Sequence, residues 1–396
     1  MKDLSNIALA VKASTTLKVD ALFKQMKADG YDVVGFGAGE PDFNTPENIA
    51  DTAVNAIREG QTKYTPSNGI LSLREAVAQR LKTDCDISYS PDQIVVASGA
   101  KHIIYVALRT LINPGDEVIL PAPYWVTYEE VIRMVGGVPV IIYTSESDSF
   151  KITPNQLNAA ITNKTKLLIL NNPSNPTGML YDINELSALA SICVSNDLYI
   201  LSDEIYYRLV YDNKTFVSIA SLGDDVKERS IIVNGVSKSY AMTGWRIGYS
   251  ASDSKIAGVM TNYLSHSTSS PSTISQLAAV EALNGPQDGI DAMRDVFSSR
   301  RNYIFERINK MDGISCRLPD AAFYIMINIE KLVGKTLGGR YISGSDDFSL
   351  AFLESGLVAV VSCTGFGCEN FVRMTYAASE KDIVEGLNRL ERFIEG

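Results

Sequence analysis

Residues 166–206 read KLLILNNPSNPTGMLYDINELSALASICVSNDLYILSDEIY. Two short apolar runs, 166–170 and 198–201, flank a segment of different period. Asp182 and Glu185 stand at the D-x-x-E spacing of a capping box. Leu186, Leu189, Ala190, Cys193 and Val194 then fall on one face of the helix that follows. Strand, helix, strand is the βαβ unit of a mostly parallel sheet. Neither apolar run alternates with polar residues, as expected of strands covered on both faces.

The same pattern extends outward. Ile94–Ala97, 117–120, Val138–Tyr143 and 230–234 are further runs rich in Val, Ile and Leu, separated by amphipathic stretches. The ends differ. A polar start leads to a strand-like run at 33–39 that ends in glycines. After residue 290 come a charged helix through 300–310, strands at 323–329 and 357–361, and a closing helix at Glu380–Glu395. The expectation is an α/β protein with residues 45–289 as a large domain. Residues 1–44, an N-terminal arm and part of a second unit, would join residues 290–396 in a smaller α+β domain.

Composition narrows the chemistry. The 396 residues carry 36 Lys plus Arg against 46 Asp plus Glu, a net charge of −10, which disfavours nucleic acid and anionic membrane as partners. Only two histidines, His102 and His266, occur, so histidine metal sites and Ser-His-Asp triads lack raw material. Five scattered cysteines show no CxxC pair or metal spacing; they read as buried thiols of a reducing cytosol, with no metal expected. The apolar run at residues 7–11 is too short, and too close to Asp3, for a signal peptide. No run has the length of a membrane span. A cytoplasmic protein is expected.

In such sheets ligands bind beyond the carboxyl ends of the strands. Ser98-Gly99-Ala100-Lys101 follows the 94–97 run and opens a helix, offering free N–H groups to an anion or serving simply as a turn. Asn171-Asn172-Pro173-Ser174-Asn175-Pro176-Thr177-Gly178 holds two X-Pro steps that stiffen an extended loop and fix the Asn175 amide. Ser202-Asp203-Glu204-Ile205-Tyr206 puts a carboxylate at a buried strand end, where it either caps a helix or meets a cation. Ser237-Lys238-Ser239 follows the 230–234 run, with Arg246 eight residues further on. An anion cradle, an acid, an amide, a tyrosine and a lysine on one edge match the needs of pyridoxal 5′-phosphate (PLP), in which a lysine forms a Schiff base and an acid keeps the pyridine nitrogen protonated.

With these motifs in order, the sequence resembles the fold-type I, PLP-dependent aminotransferases of class I, and most of all the bacterial aspartate aminotransferases of the prokaryotic subgroup. The resemblance runs through Ala38-Gly39-Glu40-Pro41-Asp42-Phe43, the 171–178 loop, 202–206, Ser237-Lys238, Thr243-Gly244-Trp245-Arg246-Ile247-Gly248 and Val372-Arg373. It implies a seven-stranded sheet sandwiched by helices and a homodimer with active sites at the subunit interface. Lys238 is then the Schiff-base lysine and proton shuttle. Asp203 pairs with the pyridinium, and Tyr206 and Asn175 bond the phenolic oxygen. Trp125 stacks on the ring, while Gly99, Ala100, Lys101, Ser237 and Arg246 surround the phosphate end. Tyr64 reaches the phosphate of the neighbouring subunit. Arg373 grips the substrate α-carboxylate with Gly39 and Asn175, and Lys101, Lys12 and Thr16 attend a distal carboxylate.

The implied reaction moves an amino group between L-aspartate and 2-oxoglutarate. Aromatic amino acids or prephenate, or a C–S lyase reaction on the same fold, are the alternatives. A non-catalytic PLP-sensing regulator would need a DNA-binding module, which the sequence does not display. The chain departs from the usual Gly-Ala-Phe-Tyr at Ala321-Ala322-Phe323-Tyr324 and from the usual Pro-Gly at Ser362-Cys363. Both departures bear on substrate preference rather than on the cofactor.

Overall fold

A computed structural model describes residues 3–11 and 16–396. Seven strands form the main sheet: β1 (Ile94–Ala97), β2 (Glu117–Ala122), β3 (Val138–Tyr143), β4 (Thr165–Asn171), β5 (Tyr199–Asp203), β6 (Ser230–Gly235) and β7 (Gly248–Ala251). Their spatial order is β1-β7-β6-β5-β4-β2-β3. The pairs among β6, β5, β4, β2 and β3 are parallel, and β7 runs antiparallel to both β1 and β6.

Six of these strands are the apolar runs of the sequence. Both faces are buried in the central strands, as their lack of alternation requires, while the edge strand β3 leaves Val138 and Tyr143 exposed. Leu167, Ile169, Leu201, Ile231 and Val233 join one apolar cluster, while Leu168, Leu170 and Ile200 on the opposite face join another. The capping box forms as expected: the Asp182 carboxylate accepts from the amides of Asn184 and Glu185, and Glu185 accepts from the Asp182 amide at 2.7 Å. The helix behind it, Ile183–Ser195, buries Leu186, Leu189, Ala190 and Cys193 against the sheet.

No apolar run announces β7. Its four residues are GYSA, and what selects them is steric. A Cβ on Gly248 would lie 2.1 Å from the Ala100 nitrogen. The strand therefore passes directly beneath the start of the helix Ala100–Leu111. Other bounds shift as well. The 33–39 run keeps only Val34–Gly35 as strand, paired in parallel with Val358–Ala359. The 357–361 run splits, because Val361–Ser362 pairs instead with Phe371–Thr375. That second pairing belongs to a four-stranded sheet of β8 (Ser315–Cys316), β9 (Tyr324–Asn328), β10 (Val361–Ser362) and β11 (Phe371–Thr375), ordered β10-β11-β9-β8. The charged helix spans Asp288–Ile308, beginning near residue 290 as expected and ending two residues short of 310, and the closing helix is Glu380–Glu395.

Candidate active site

Parallel strands bring their carboxyl ends to one edge. β4 and β5 pair Asn171 with Asp203, and β5 and β6 pair Asp203 with Val233. The antiparallel β7 starts at the same edge, with Gly248 opposite Ala97, and so brings in Arg246 from two residues upstream. A cavity of about 440 Å³ opens there, lined among others by Gly39, Ala100, Lys101, Trp125, Asn175, Asp203, Tyr206, Ser237, Lys238, Arg246 and Arg373. The two ends of the chain and its middle thus share one space.

Lys238 donates from its Nζ to the Gly39 carbonyl, across 199 residues of sequence. Burial pushes its ammonium down to about 8; nearby Glu40 opposes the shift, and Arg373 and Arg246 add to it. Glu40 is itself held by the Thr243 hydroxyl, which donates to it at 2.8 Å. An amine with that pKa is partly free at neutral pH and able to act as base or nucleophile.

Asp203 is almost fully buried. The Tyr128 hydroxyl donates to it at 2.6 Å, and the Ile205 amide at 3.2 Å. Burial raises its carboxyl to about 6, while Tyr128, Ile205 and Lys238 restrain the rise. The result is a carboxylate, ionised at neutral pH, aimed into the cavity as a strong acceptor for a protonated nitrogen. Nothing in the sequence singles out Tyr128, whose local pattern is that of a core tyrosine on an amphipathic helix.

One end of the cavity is built for an anion. The helix Ala100–Leu111 has Gly99 at its N-cap with no side-chain cap, so its first amides point out free at the positive end of the dipole. Gly99 holds φ +92°, and a Cβ there would meet Arg246 Nη2 at 2.3 Å, so the glycine is required twice over. Arg246 donates to the Thr243 carbonyl at 2.8 Å and has no carboxylate partner among the described residues. Ser237 completes this end.

The other end holds Arg373, also almost fully buried. It donates to Asn175 Oδ1 and to the Gly37 carbonyl, each at 3.0 Å, and lies 4.3 Å over the Tyr324 ring. No carboxylate pairs with it among the described residues, and its Nε is buried without a partner. A buried cation left in this state calls for an anionic ligand. The 171–178 loop does not run extended as its prolines suggest; the Gly178 amide donates back to the Ser174 carbonyl at 2.9 Å, and this turn delivers Asn175 to Arg373. Tyr206 and Tyr324 join hydroxyls at 3.1 Å beside them.

Trp125 sets its ring edge-on to Tyr128 at 5.5 Å, with Lys101 Nζ 4.7 Å from its centre. Burial, then Arg246, lowers the Lys101 ammonium. Tyr64 is 95% exposed and does not line this cavity. Thr16 opens the helix Thr16–Ala28, and Lys12 lies outside the described residues. Of the departures, Ala321 and Ala322 are fully buried, and Ala322 sits at φ +63°. Ser362 bonds the hydroxyls of Ser345 and Thr364.

Comparison with known proteins gives this geometry its context. The family of class I and II aminotransferases matches residues 31–390. An aspartate aminotransferase of Bacillus subtilis (strain 168) is 47% identical over 386 residues, 98% of this chain and 97% of its own length. An aspartate/prephenate aminotransferase of Cereibacter sphaeroides is 42% identical over 398 residues, covering 100% of both chains. The crystal structure of the aspartate aminotransferase from Rhizobium meliloti superposes with a TM-score of 0.97 at 38% identity, over 100% of this chain and 99% of that one. The chain belongs to the class I and II aminotransferases. Its cofactor is PLP, and the cavity fits that group: an uncapped helix end with Arg246 for a phosphate, a buried acid for a ring nitrogen, and an amine with a depressed pKa between them.

Proposed function

We propose that this aminotransferase moves the amino group of L-aspartate to 2-oxoglutarate in two alternating half-reactions, and that Lys238 is its catalytic residue. The carrying observation is the buried Arg373, an unpaired guanidinium facing the same cavity as the Lys238 amine. When bound, PLP supplies a carbonyl carbon that accepts and returns the amino group and a ring that withdraws electrons from the substrate Cα.

The chain's residues do the rest. Lys238 would hold the cofactor, and its amine, with a pKa lowered by burial, would carry the proton at the substrate Cα. Asp203, braced by Tyr128, keeps a proton on the ring nitrogen. Tyr206 and Asn175 bond the phenolic oxygen, and Trp125 covers one face of the ring. The amides of Gly99 and Ala100 with Ser237 and Arg246 bind the phosphate, with Lys101 beside them. Arg373 binds the α-carboxylate as a two-pronged donor, supported by Gly39 and Asn175. Lys101, exposed at the rim, takes the distal carboxylate, joined by Lys12 and Thr16.

The fully exposed Tyr64 supports a homodimer in which each copy offers this hydroxyl to its partner's phosphate. We assign residues 45–289 to the large domain, and 1–44 with 290–396 to the arm and small domain. No helix among the described residues is long and apolar enough to cross a membrane, and we place the enzyme in the cytoplasm. Prephenate also carries two carboxylates, and the Cereibacter relative's name makes it the second substrate to test.

The test is an absorbance titration of the PLP-loaded protein with L-aspartate and no keto acid. Stoichiometric conversion of the cofactor to its aminated form supports the reading. Release of pyruvate and ammonia without an acceptor would replace it with a lyase.

A further inference from the structure

Two of the five cysteines are brought together by a helix-ending motif next to the substrate end of the cavity. The short turn Thr364–Phe366 closes with Gly367 at φ +74°. The Cys368 amide donates to the Cys363 carbonyl at 3.1 Å, and the Gly367 amide to the Thr364 carbonyl at 3.1 Å. This pair of six-to-one and five-to-two bonds is the Schellman arrangement, in which the two outer side chains meet. Here those side chains are the thiols of Cys363 and Cys368. Both belong to one small apolar cluster with Met179, Met326 and Phe366, whereas Cys85, Cys193 and Cys316 lie in three other clusters.

The turn is tied to the site. Phe366, inside the loop bounded by the two cysteines, lines the cavity 5.3 Å from the Arg373 guanidinium. Its carbonyl accepts from the Tyr124 amide at 3.0 Å, beside Trp125. Gly367 is pressed against Tyr124 and Ala122, where a Cβ would come within 3.1 Å of both.

We propose that Cys363 and Cys368 are a dithiol modification site, converted by low-molecular-weight disulfides into an intramolecular disulfide that weakens substrate binding at Arg373. Cys368, the more exposed sulfur, attacks the small disulfide RSSR as thiolate, breaking its S–S bond and releasing RS⁻. Cys363 then attacks the mixed disulfide on Cys368 and releases the second RS⁻. The protein loses two protons and two electrons, and RSSR becomes two RSH. Closing the sulfurs to a bond of about 2.0 Å pulls on the ends of the turn that holds Phe366. Burial, followed by Glu146 and Glu369, pushes the Cys368 thiol up to about 12, so the exchange is slow at neutral pH and quickens as pH rises.

The experiment treats the PLP-loaded enzyme with oxidised glutathione at mildly alkaline pH, with peptide mapping, thiol counting and kinetics. The expected result is a Cys363–Cys368 peptide link, a fall from five free thiols to three, a severalfold rise in KM for the amino donor with kcat little changed, and full reversal by dithiothreitol. Cys368→Ser should keep untreated activity and escape the KM rise, and Cys363→Ser should escape the KM rise as well. Glutathione retained on Cys368 without a bridge, a link involving another cysteine, or equal sensitivity of Cys368→Ser would overturn the proposal. A bridge that leaves KM unchanged would overturn its coupling to the site. The KM effect rests on the Arg373 assignment, but the bridge does not: an untreated enzyme inactive with every amino donor would strike the aminotransferase reading alone.

Discussion

Replacing Arg373 by lysine keeps the charge and removes the fork. In the structure one prong of the guanidinium holds Asn175 Oδ1 and another the Gly37 carbonyl, both at 3.0 Å, while Nε has no partner. A bound α-carboxylate needs two further donors from the same plane. Lysine has three donors on a single nitrogen and cannot serve Asn175, Gly37 and both carboxylate oxygens together. At least one charge-assisted hydrogen bond is lost, worth about 1.5–3 kcal/mol. That corresponds to roughly a 10- to 160-fold fall in kcat/KM. Because substrate and transition state carry the same carboxylate, the loss should fall mainly on KM. The assay is steady-state kinetics with L-aspartate beside a PLP titration of the same variant. Arg373→Lys within twofold of the parent, or a loss confined to PLP affinity, would refute the carboxylate role.

Three further outcomes are expected. Lys238 loses its proton near 8, so the rate at which the apo-protein captures PLP should rise with pH and level off just above that value; a rise continuing through about 10, as for an ordinary lysine, contradicts the burial argument. The sign for stability follows, since between about 8 and 10.5 the unfolded chain binds more protons at this lysine, and its contribution to apo-protein stability should increase with pH across that window. Tyr128→Phe removes the donor that restrains Asp203 and lets burial lift that carboxyl further above about 6; PLP affinity should fall about tenfold near neutral pH, the value of one such hydrogen bond, and recover in alkali, and a pH-independent affinity would show that the hydroxyl does not tune the acid. Lys101→Ala should raise KM for aspartate about tenfold, the value of one charge-assisted bond, while leaving alanine and phenylalanine nearly untouched; an equal loss for all three would mean that Lys101 serves the cofactor instead.

How far the sequence alone reaches is set by the range of the forces involved. The central strands of the main sheet are legible because a strand buried on both faces must be apolar along its middle, as 167–170 and 198–201 are. The capping box at Asp182 and Glu185 is legible because both of its partners lie within one turn. β7 is not, since its residues answer to contacts rather than to solvent: Gly248 fits under the Ala100 nitrogen, and Ser250 is fully buried. The site divides in the same way. Gly99, Asp203 and Lys238 announce themselves by standing just past strand ends. Arg373 does not, because what places it in the cavity is a hydrogen bond to a residue 198 positions earlier, and only the family resemblance points to it. Tyr128, Tyr324, Glu40 and Thr243 likewise meet partners 75 to 203 positions away and carry no local signal.

That division bears on where this chain could differ from its relatives. The residues proposed to meet the cofactor cluster at and just beyond the strand ends and at one helix start, where Gly99 is fixed by both its φ and the Arg246 guanidinium. The two departures do not line the cavity but flank segments that do: Ala321 precedes Tyr324, and Ser362 pairs with Val372, next to Arg373. Ala321 occupies a position without positive φ, so a side chain there needs no special backbone, and Ser362 replaces a ring by a hydroxyl that finds two partners. Changes of this kind leave the chemistry of amino transfer in place while acting on the segments that carry Tyr324, Phe366 and Arg373 into the cavity. Donor preference and response to thiol oxidants should therefore vary together between this enzyme and relatives lacking Cys363, whereas PLP affinity should not. Exchanging Ser362-Cys363 for Pro-Gly tests this directly: donor selectivity and glutathione sensitivity should change with the PLP titration unaltered, and a shift in PLP affinity instead would show that the turn supports the cofactor end of the cavity.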